Sequence, residues 1–235
     1  MGKKLESLTA GMRIPYGGNN LAIVSEELAS EFESGDRLIV IQTTGDLLHV
    51  PADVWKISTK TVQRAHDAFL EMGSVDDHAI TKFFKLFADY LSDEERFSAI
   101  KDSNDEDVRV AKSRGRSTTR LVLSEKMRED MVAGLRLWEN TPSQRGSAIE
   151  EISHDGWKVK LITAGLGVIG FIFEGRPNVF ADATGVLRSG NTVVFRIGSD
   201  ALLTANAIVE HALDPALKES GLPIGSVSLI NSAER

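Results

Sequence analysis

The last third of the chain alternates strand-like and helix-like segments, and this order constrains the fold more than any other feature. The strand-like segments are 168–173, 191–197 and 226–230, and the helical ones are 179–188 and a segment from Ser199 or Asp200 to about 213. Strands and helices in this order predict a parallel sheet with right-handed crossovers. The fold class is therefore α/β with a Rossmann-type parallel sheet, which binds ligands at the carboxyl ends of its strands. Because Arg235 follows the last strand closely, we expect the sheet to be incomplete.

The remaining sequence divides into two further regions. Residues 1–60 form a β-leaning extension, in which 37–50 reads as a hairpin and 21–34 as a short helix ending at Gly35. Residues 61–150 form a helical region, and 151–235 begin a nucleotide-binding domain with an additional strand at 157–162. Apolar residues at helical spacing predict helices over 76–91 and 124–138, and a charged helix with few apolar residues is predicted over 93–113.

Composition excludes several classes of protein. The net charge of −7 gives no general attraction to nucleic acid or anionic membranes. No apolar run approaches the roughly 20 residues of a membrane helix, so we expect a cytoplasmic protein. The chain has no cysteine, and its five histidines form no metal-binding pair, so no metal site is predicted. We interpret the basic cluster at 112–116 as a solvated loop.

Residues 165–170 match the glycine pattern G-x-G-x-x-G. A dinucleotide fingerprint requires a helix to open within this motif, so that the helix N-terminus faces the pyrophosphate. Here the motif continues into Phe171, Ile172 and Phe173 and soon reaches Pro177. The pattern favours a glycine-containing strand over a Rossmann fingerprint.

Two strand-to-helix junctions carry better candidates for a ligand site. Glu174, Arg176 and Asn178 follow the strand 168–173 and offer an acceptor, an anion-binding fork and an amide. Arg196 and Ser199 stand at the next junction, where a phosphate or ribose would fit. Ordinary turns and helix caps explain both junctions equally well.

A family resemblance bears on this choice. The segments 166–209 (LGVIGFIFEGRPNVF onwards) and 221–230 (GLPIGSVSLI) resemble glutamate-5-semialdehyde dehydrogenases, a branch of the aldehyde dehydrogenase superfamily. The resemblance is looser over 63–160, and 1–60 do not share it. It implies that Asn178 helps to hold an oxyanion and that Arg176 meets an anionic substrate group. The cofactor-binding residues that it implies are Phe173, Glu174, Arg196, Ser199 and Gly225.

The resemblance also implies a reaction, the NADPH-dependent reduction of an acyl phosphate to an aldehyde through a cysteine thioacyl intermediate. This chain has no cysteine, so by itself we expect it to be inactive. Two hypotheses follow. The chain is the cofactor-side part of a reductase, or it is a non-catalytic nucleotide-binding or scaffold subunit. The expected partners are a small-molecule substrate and either further copies of the chain or a chain carrying the catalytic domain.

Overall fold

A computed structural model describes residues 3–233, which divide into two compact units between Lys60 and Thr61. The first unit is built on a small core of Leu8, Val24, Leu28 and Phe32. Its elements are β1 (Arg13–Tyr16), β2 (Asn20–Ile23), α1 (Glu26–Glu31), β3 (Arg37–Val40), β4 (Leu47–Val50) and the beginning of α2 (Ala52–Met72).

The first unit contains two antiparallel hairpins, of which the sequence predicted one. The pairing of β3 with β4 confirms the hairpin over 37–50. The prediction of a helix over 21–34 is wrong at its start, because β2 pairs with β1 there and helix α1 begins only at Glu26. Gly17 and Gly18 have positive φ angles and close the β1–β2 turn, which is the signal that was missed.

The second unit contains the predicted helices, which are confirmed. Asp76, Asp93 and Ser124 each accept a hydrogen bond from a backbone N–H of the helix that follows. Phe83 and Phe87 are fully buried in the core. The three helices are α3 (Asp77–Ser92), α4 (Glu94–Ser113) and α5 (Glu125–Asn140).

The parallel sheet is also confirmed, with strands β7, β8 and β9 in that order. The central strand β8 is buried along nearly all its length, whereas β7 is half exposed. The strands of the sheet and the helices between them are β7 (Val168–Phe173), α6 (Val179–Ala183), a 3₁₀ segment (Thr184–Ser189), β8 (Thr192–Ile197), α7 (Leu202–Ile208), a π-helical turn (Val209–Leu213), α8 (Asp214–Ser220) and β9 (Val227–Leu229).

The strand predicted over 157–162 exists but lies outside the parallel sheet. It is β6 (Trp157–Ile162), which pairs with an unpredicted strand, β5 (Ala148–His154), as a separate antiparallel hairpin. Gly156 in the connecting turn has a φ of 81°, as a tight Asp-Gly turn requires. The sequence predicted the strand but not its neighbour, which the two-residue turn at Asp155 and Gly156 sets.

The glycine motif belongs to the sheet, as the sequence favoured. Gly170 lies within β7, and no helix opens in the motif. The backbone N–H groups of Leu166 and Gly167 donate to the Asn191 side chain at 2.6 and 3.0 Å. A Cβ on Gly165 would meet the carbonyl oxygen of Gly190. These glycines therefore serve the packing of β7 against the turn before β8.

Across residues 3–233, no helix combines the length and apolarity needed to cross a membrane.

Candidate functional site at the carboxyl ends of β7 and β8

The loops that follow β7 and β8 are held together by backbone contacts. The N–H of Gly198 donates to the carbonyl oxygen of Phe173 at 2.8 Å. A side chain at position 198 would overlap the carbonyl oxygen of Glu174, so only glycine lets the two loops approach this closely. The two junctions singled out in the sequence are thus neighbours, at the edge of the sheet where such folds bind ligands.

The first of two clefts at this edge, the β7 cleft, has a volume of about 730 Å³. Phe173, Glu174 and Arg176 line one side of it. Arg120, with the hydroxyl residues Ser117 and Thr119, comes from the loop between α4 and α5. Two guanidinium groups and two hydroxyls provide hydrogen-bond donors to this cleft, which the carboxylates of Glu174 and Asp200 also line. The sequence did not predict Arg120 here, because the loop adjoins β7 only through the tertiary fold.

Asn178 precedes α6 at the end of the same loop. Its side chain makes no capping hydrogen bond to the helix, so the cap interpretation does not explain this residue. It is half-buried, and the adjacent Val179 lines the β7 cleft.

The second cleft, the β8 cleft, has a volume of about 540 Å³. Ser199 and Asp200 line it together with Arg114 from the end of α4 and the amides of Asn206 and Asn231. Neither Ser199 nor Asp200 caps α7, contrary to the helix start expected there, since Ala201 is the N-cap residue and no side chain caps the helix. Asp200 also lines the β7 cleft and therefore stands between the two.

Asp200 is engaged by the basic cluster that we interpreted as a solvated loop. The Nη1 atom of Arg116 lies 2.5 Å from Oδ1 of Asp200, and Nη1 of Arg114 lies 3.8 Å from the same oxygen. Arg114 and Arg116 are exposed, as expected for a solvated loop, but that interpretation did not include their pairing with Asp200. No local pattern reveals this pairing, because Arg116 and Asp200 are 84 residues apart in the sequence.

A buried polar group fixes the beginning of α7 behind this corner. Asp107 on α4 accepts from the backbone N–H and the hydroxyl of Thr204 at 2.8 and 2.7 Å. Asn104 donates to the same hydroxyl at 3.1 Å and accepts from the N–H of Leu123. Burial raises the pKa of Asp107, and the hydrogen bonds from Thr204 oppose that rise. Helix α4 thus positions the β8–α7 loop and the α4–α5 loop together.

Two predicted residues lie apart from the clefts. Arg196 is half-buried on β8, in register with Ile172 of β7, one residue before the strand ends. Gly225 lies at the amino end of β9, the opposite end of the sheet from Ser199, and is buried. Its φ is 108°, and a Cβ there would meet the carbonyl oxygen of Arg64. The structure therefore accounts for Gly225 by backbone geometry and does not bring it to the site.

A third cleft, of about 710 Å³, is largely apolar and was not predicted. Phe171 and Phe173 line it from β7, Trp138 from α5, and Val179 and Val186 from the α6 region. Phe173 thus borders this cleft and the β7 cleft. The alternation of Phe171 and Phe173 with Ile172 was the available signal for a ligand- or protein-facing sheet surface.

Among residues 3–233, no group of three or more histidine or carboxylate side chains is arranged to hold a metal ion.

Comparison with known proteins places the chain. No family model matches it. Gamma-glutamyl phosphate reductase from Heliobacterium modesticaldum is 32% identical over 178 residues, which are 74% of this chain and 42% of that relative. The crystal structure of gamma-glutamyl phosphate reductase from Thermotoga maritima superposes with a TM-score of 0.70 at 31% identity, covering 75% of this chain and 43% of that one. Propionaldehyde dehydrogenase from Rhodopseudomonas palustris, at 17% identity and a TM-score of 0.53 over 75% of this chain and 36% of its own, shares the fold.

The parallel sheet with its helices is that of an aldehyde-dehydrogenase-like α/β fold. Within that class the chain is a homologue of gamma-glutamyl phosphate reductase, also called glutamate-5-semialdehyde dehydrogenase. It spans about 42% of the length of the curated relative that it matches.

Proposed function

We propose that this chain is the cofactor-side part of an NADPH-dependent reductase that converts an acyl phosphate, such as γ-glutamyl phosphate, to the semialdehyde. The observation that supports this most is the homology to gamma-glutamyl phosphate reductases over three quarters of the chain. The solved structure of one such reductase also shares the fold whose parallel sheet carries the two polar loops.

The residues at the carboxyl edge fit a nicotinamide dinucleotide. The β8 cleft offers a hydroxyl from Ser199 and amides from Asn206 and Asn231, which suit the hydroxyls of an adenosine ribose. Asp200 lines both this cleft and the β7 cleft, so an extended dinucleotide would reach both. The cofactor, when bound, supplies a hydride. We assign Phe173, Glu174, Arg196 and Ser199 to its binding.

The β7 cleft is the better place for the substrate. Arg176 presents a planar fork to an anionic group, as a carboxylate or phosphate requires. The amide of Asn178 is a donor that is not used in capping α6, so it can hold an oxyanion on the reacting carbonyl. Removing one such donor typically lowers kcat by about 10²–10³-fold.

The nucleophile of the reaction must come from another polypeptide segment, because the chain has no cysteine. Two exposed surfaces suit a protein partner. The β5–β6 hairpin exposes Ile149, Trp157 and Leu161, each more than half exposed. Strand β7 is at the edge of the described sheet, and Ile172 on it is 80% exposed. We propose a partner that is either a second copy or a chain carrying the catalytic domain. A cytoplasmic location stays a prediction.

Two measurements test the proposal. Calorimetric titration of the chain with NADPH should show binding, and absence of binding would overturn the cofactor assignment. A spectrophotometric assay with an acyl phosphate should show no NADPH oxidation by the chain alone. Oxidation should appear when a cysteine-bearing polypeptide completes the enzyme. Binding of NADPH without such rescue by any partner would favour the alternative, a non-catalytic nucleotide-binding subunit.

A further inference from the structure

Arg120 differs from the other arginines of α4 and of the loop that follows this helix. Arg109 pairs with a glutamate on its own helix, and Arg114 and Arg116 both pair with Asp200. In the part of the chain that the structure describes, the guanidinium of Arg120 has no ion pair or hydrogen bond. Its side chain is exposed and lines the β7 cleft, so its donors are available to a ligand there.

The backbone beside Arg120 is held from inside the protein. The side chain of Asn104, which is fully buried on α4, donates to the carbonyl oxygen of Leu121 at 2.9 Å and accepts from the N–H of Leu123 at 2.8 Å. The carbonyl oxygen of Thr118 accepts from the N–H of Leu121 at 3.0 Å, which closes a turn around Arg120. An exposed cation on a fixed backbone suits binding, because the backbone is ordered before a ligand arrives.

The charges that line the β7 cleft favour a ligand with two anionic groups. Arg120 and Arg176 line the cleft from different loops, and its carboxylates are Glu174 and Asp200. Asp200 is already paired with two arginines near the end of α4. Glu174 stands in the loop of Arg176, whereas residues 108–124 contain no carboxylate that could balance Arg120. Two separate cations, of which one has no carboxylate in its own loop, complement two separate anionic groups.

The loop after β7 belongs with the reacting end of the substrate. Asn178 is the donor assigned to the oxyanion on the reacting carbonyl, and Arg176 lies two residues before it. In an acyl phosphate the phosphoryl group is joined through one oxygen to that carbonyl carbon, so Arg176 is the arginine for the phosphoryl group. A cleft of about 730 Å³ has room for a further group of the ligand, and Arg120 borders that space from the α4–α5 loop.

We propose that Arg120 binds a carboxylate at the end of the substrate opposite the acyl phosphate, and so selects acyl phosphates that carry this second anionic group. The planar fork of arginine matches a carboxylate with two parallel hydrogen bonds. The inference rests on the proposed function, since it requires an acyl phosphate in the β7 cleft. It assigns a specificity role to a residue for which the sequence alone indicated none, and it predicts that acyl phosphates without the carboxylate bind weakly.

The test compares two stable probes, 4-phosphonobutyrate and butylphosphonate, which differ in having a carboxylate or a methyl group at the end of the chain. In calorimetry on the full chain, the wild type should bind 4-phosphonobutyrate more tightly, with an affinity that falls as KCl rises. Arg120→Ala should weaken 4-phosphonobutyrate at least about tenfold, because a hydrogen bond to a charged group contributes at least that much. Butylphosphonate should change less than about twofold. Arg120→Lys should retain part of the preference. Arg176→Ala should weaken both probes, since both carry the phosphonate.

Arg109→Ala is the matched control, since Arg109 is an exposed arginine on α4 that pairs with Glu106 instead. It should leave both affinities unchanged, and urea unfolding should show that the Arg120 variants are as stable as the wild type. Equal loss of both probes in Arg120→Ala would overturn the carboxylate role. Equal binding of both probes by the wild type, or binding of NADPH with neither probe, would do the same while leaving nucleotide binding in place. Failure of both probes and NADPH to bind would overturn the proposed function together with this inference.

Discussion

The two loops at the carboxyl edge of the sheet differ in how they are held. The loop after β8 is anchored by its neighbours, since Asp107 bonds to Thr204 and Arg116 pairs with Asp200. The loop after β7 exposes Glu174 and Arg176 and leaves the Asn178 side chain outside the helix cap. One loop is rigidly positioned, and the other presents polar groups to the cleft. The difference is that expected between a cofactor-positioning loop and a substrate-facing loop.

The largest effect should come from the point where the loops touch. Gly198→Ala adds a Cβ that overlaps the carbonyl oxygen of Glu174. We expect a loss of about 1–3 kcal/mol in the free energy of unfolding, as overpacking typically produces. The matched control is Gly175→Ala in the other loop, where a Cβ meets nothing within 4 Å. Urea unfolding of both variants measures the difference, and equal stability of the two would remove the contrast between the loops.

The next effect on stability should come from the buried hydrogen bonds between Thr204 and Asp107. Thr204→Val deletes the hydroxyl that donates to Asp107 and accepts from Asn104. Leaving buried partners unsatisfied costs about 1–3 kcal/mol. Ser199→Ala, in the turn before α7 and outside this network of hydrogen bonds, is the comparison variant and should be nearly neutral. Thermal unfolding followed by circular dichroism measures both. A neutral Thr204→Val would show that the anchor does not hold the loop.

Asp107 should also give the loop a pH-dependent stability. Burial raises the pKa of Asp107 in the folded chain above its ordinary value of 3.8. Between pH 3.8 and the raised pKa, the folded state therefore binds more protons than the unfolded state. Stability therefore falls as pH rises from 3.8 through the folded pKa. Asp107→Asn removes the titrating group and should flatten this part of the profile of urea midpoint against pH. An unchanged slope would contradict the assignment.

The smallest effect on stability should come from the other loop. Arg176→Ala removes an exposed side chain, so unfolding should change by no more than about 0.5 kcal/mol. Affinity for an anionic substrate analogue, such as inorganic phosphate, should fall nevertheless, with NADPH affinity unchanged. Calorimetry with each ligand separates the two outcomes. A large loss of stability in this variant would show that the β7 loop is anchored after all.

Local patterns in the sequence predicted much of the fold. The helices over 77–92 and 125–140 follow from apolar spacing, and the helix over 94–113 follows from a charged segment with few apolar residues. The buried strand β8 follows from its continuous apolar run. The β5–β6 pairing was missed because alternation identifies a strand without naming its neighbour. The β1–β2 hairpin was missed because 21–34 was interpreted as a helix and the turn glycines Gly17 and Gly18 were not recognised.

The candidate site was predictable only in part, for the same reason. Glu174, Arg176 and Ser199 directly follow strands, so their place at the sheet edge follows from local order. Arg116 and Arg120 reach the same edge from a loop between helices, and only the packing of α4 on α7 brings them there. The assignment of Gly225 to the cofactor stays a prediction, and the structure explains this glycine by backbone geometry.

The central claim is that nucleotide binds at the carboxyl ends of β7 and β8 and not at the glycine motif. Titration of the isotope-labelled chain with NADPH, followed through backbone amide chemical shifts, tests it most directly. We expect the largest shifts at 173–178, 198–200 and 114–120, with Gly165 and Gly167 unchanged. Shifts concentrated at the glycine motif, or no shifts at saturating NADPH, would contradict the account.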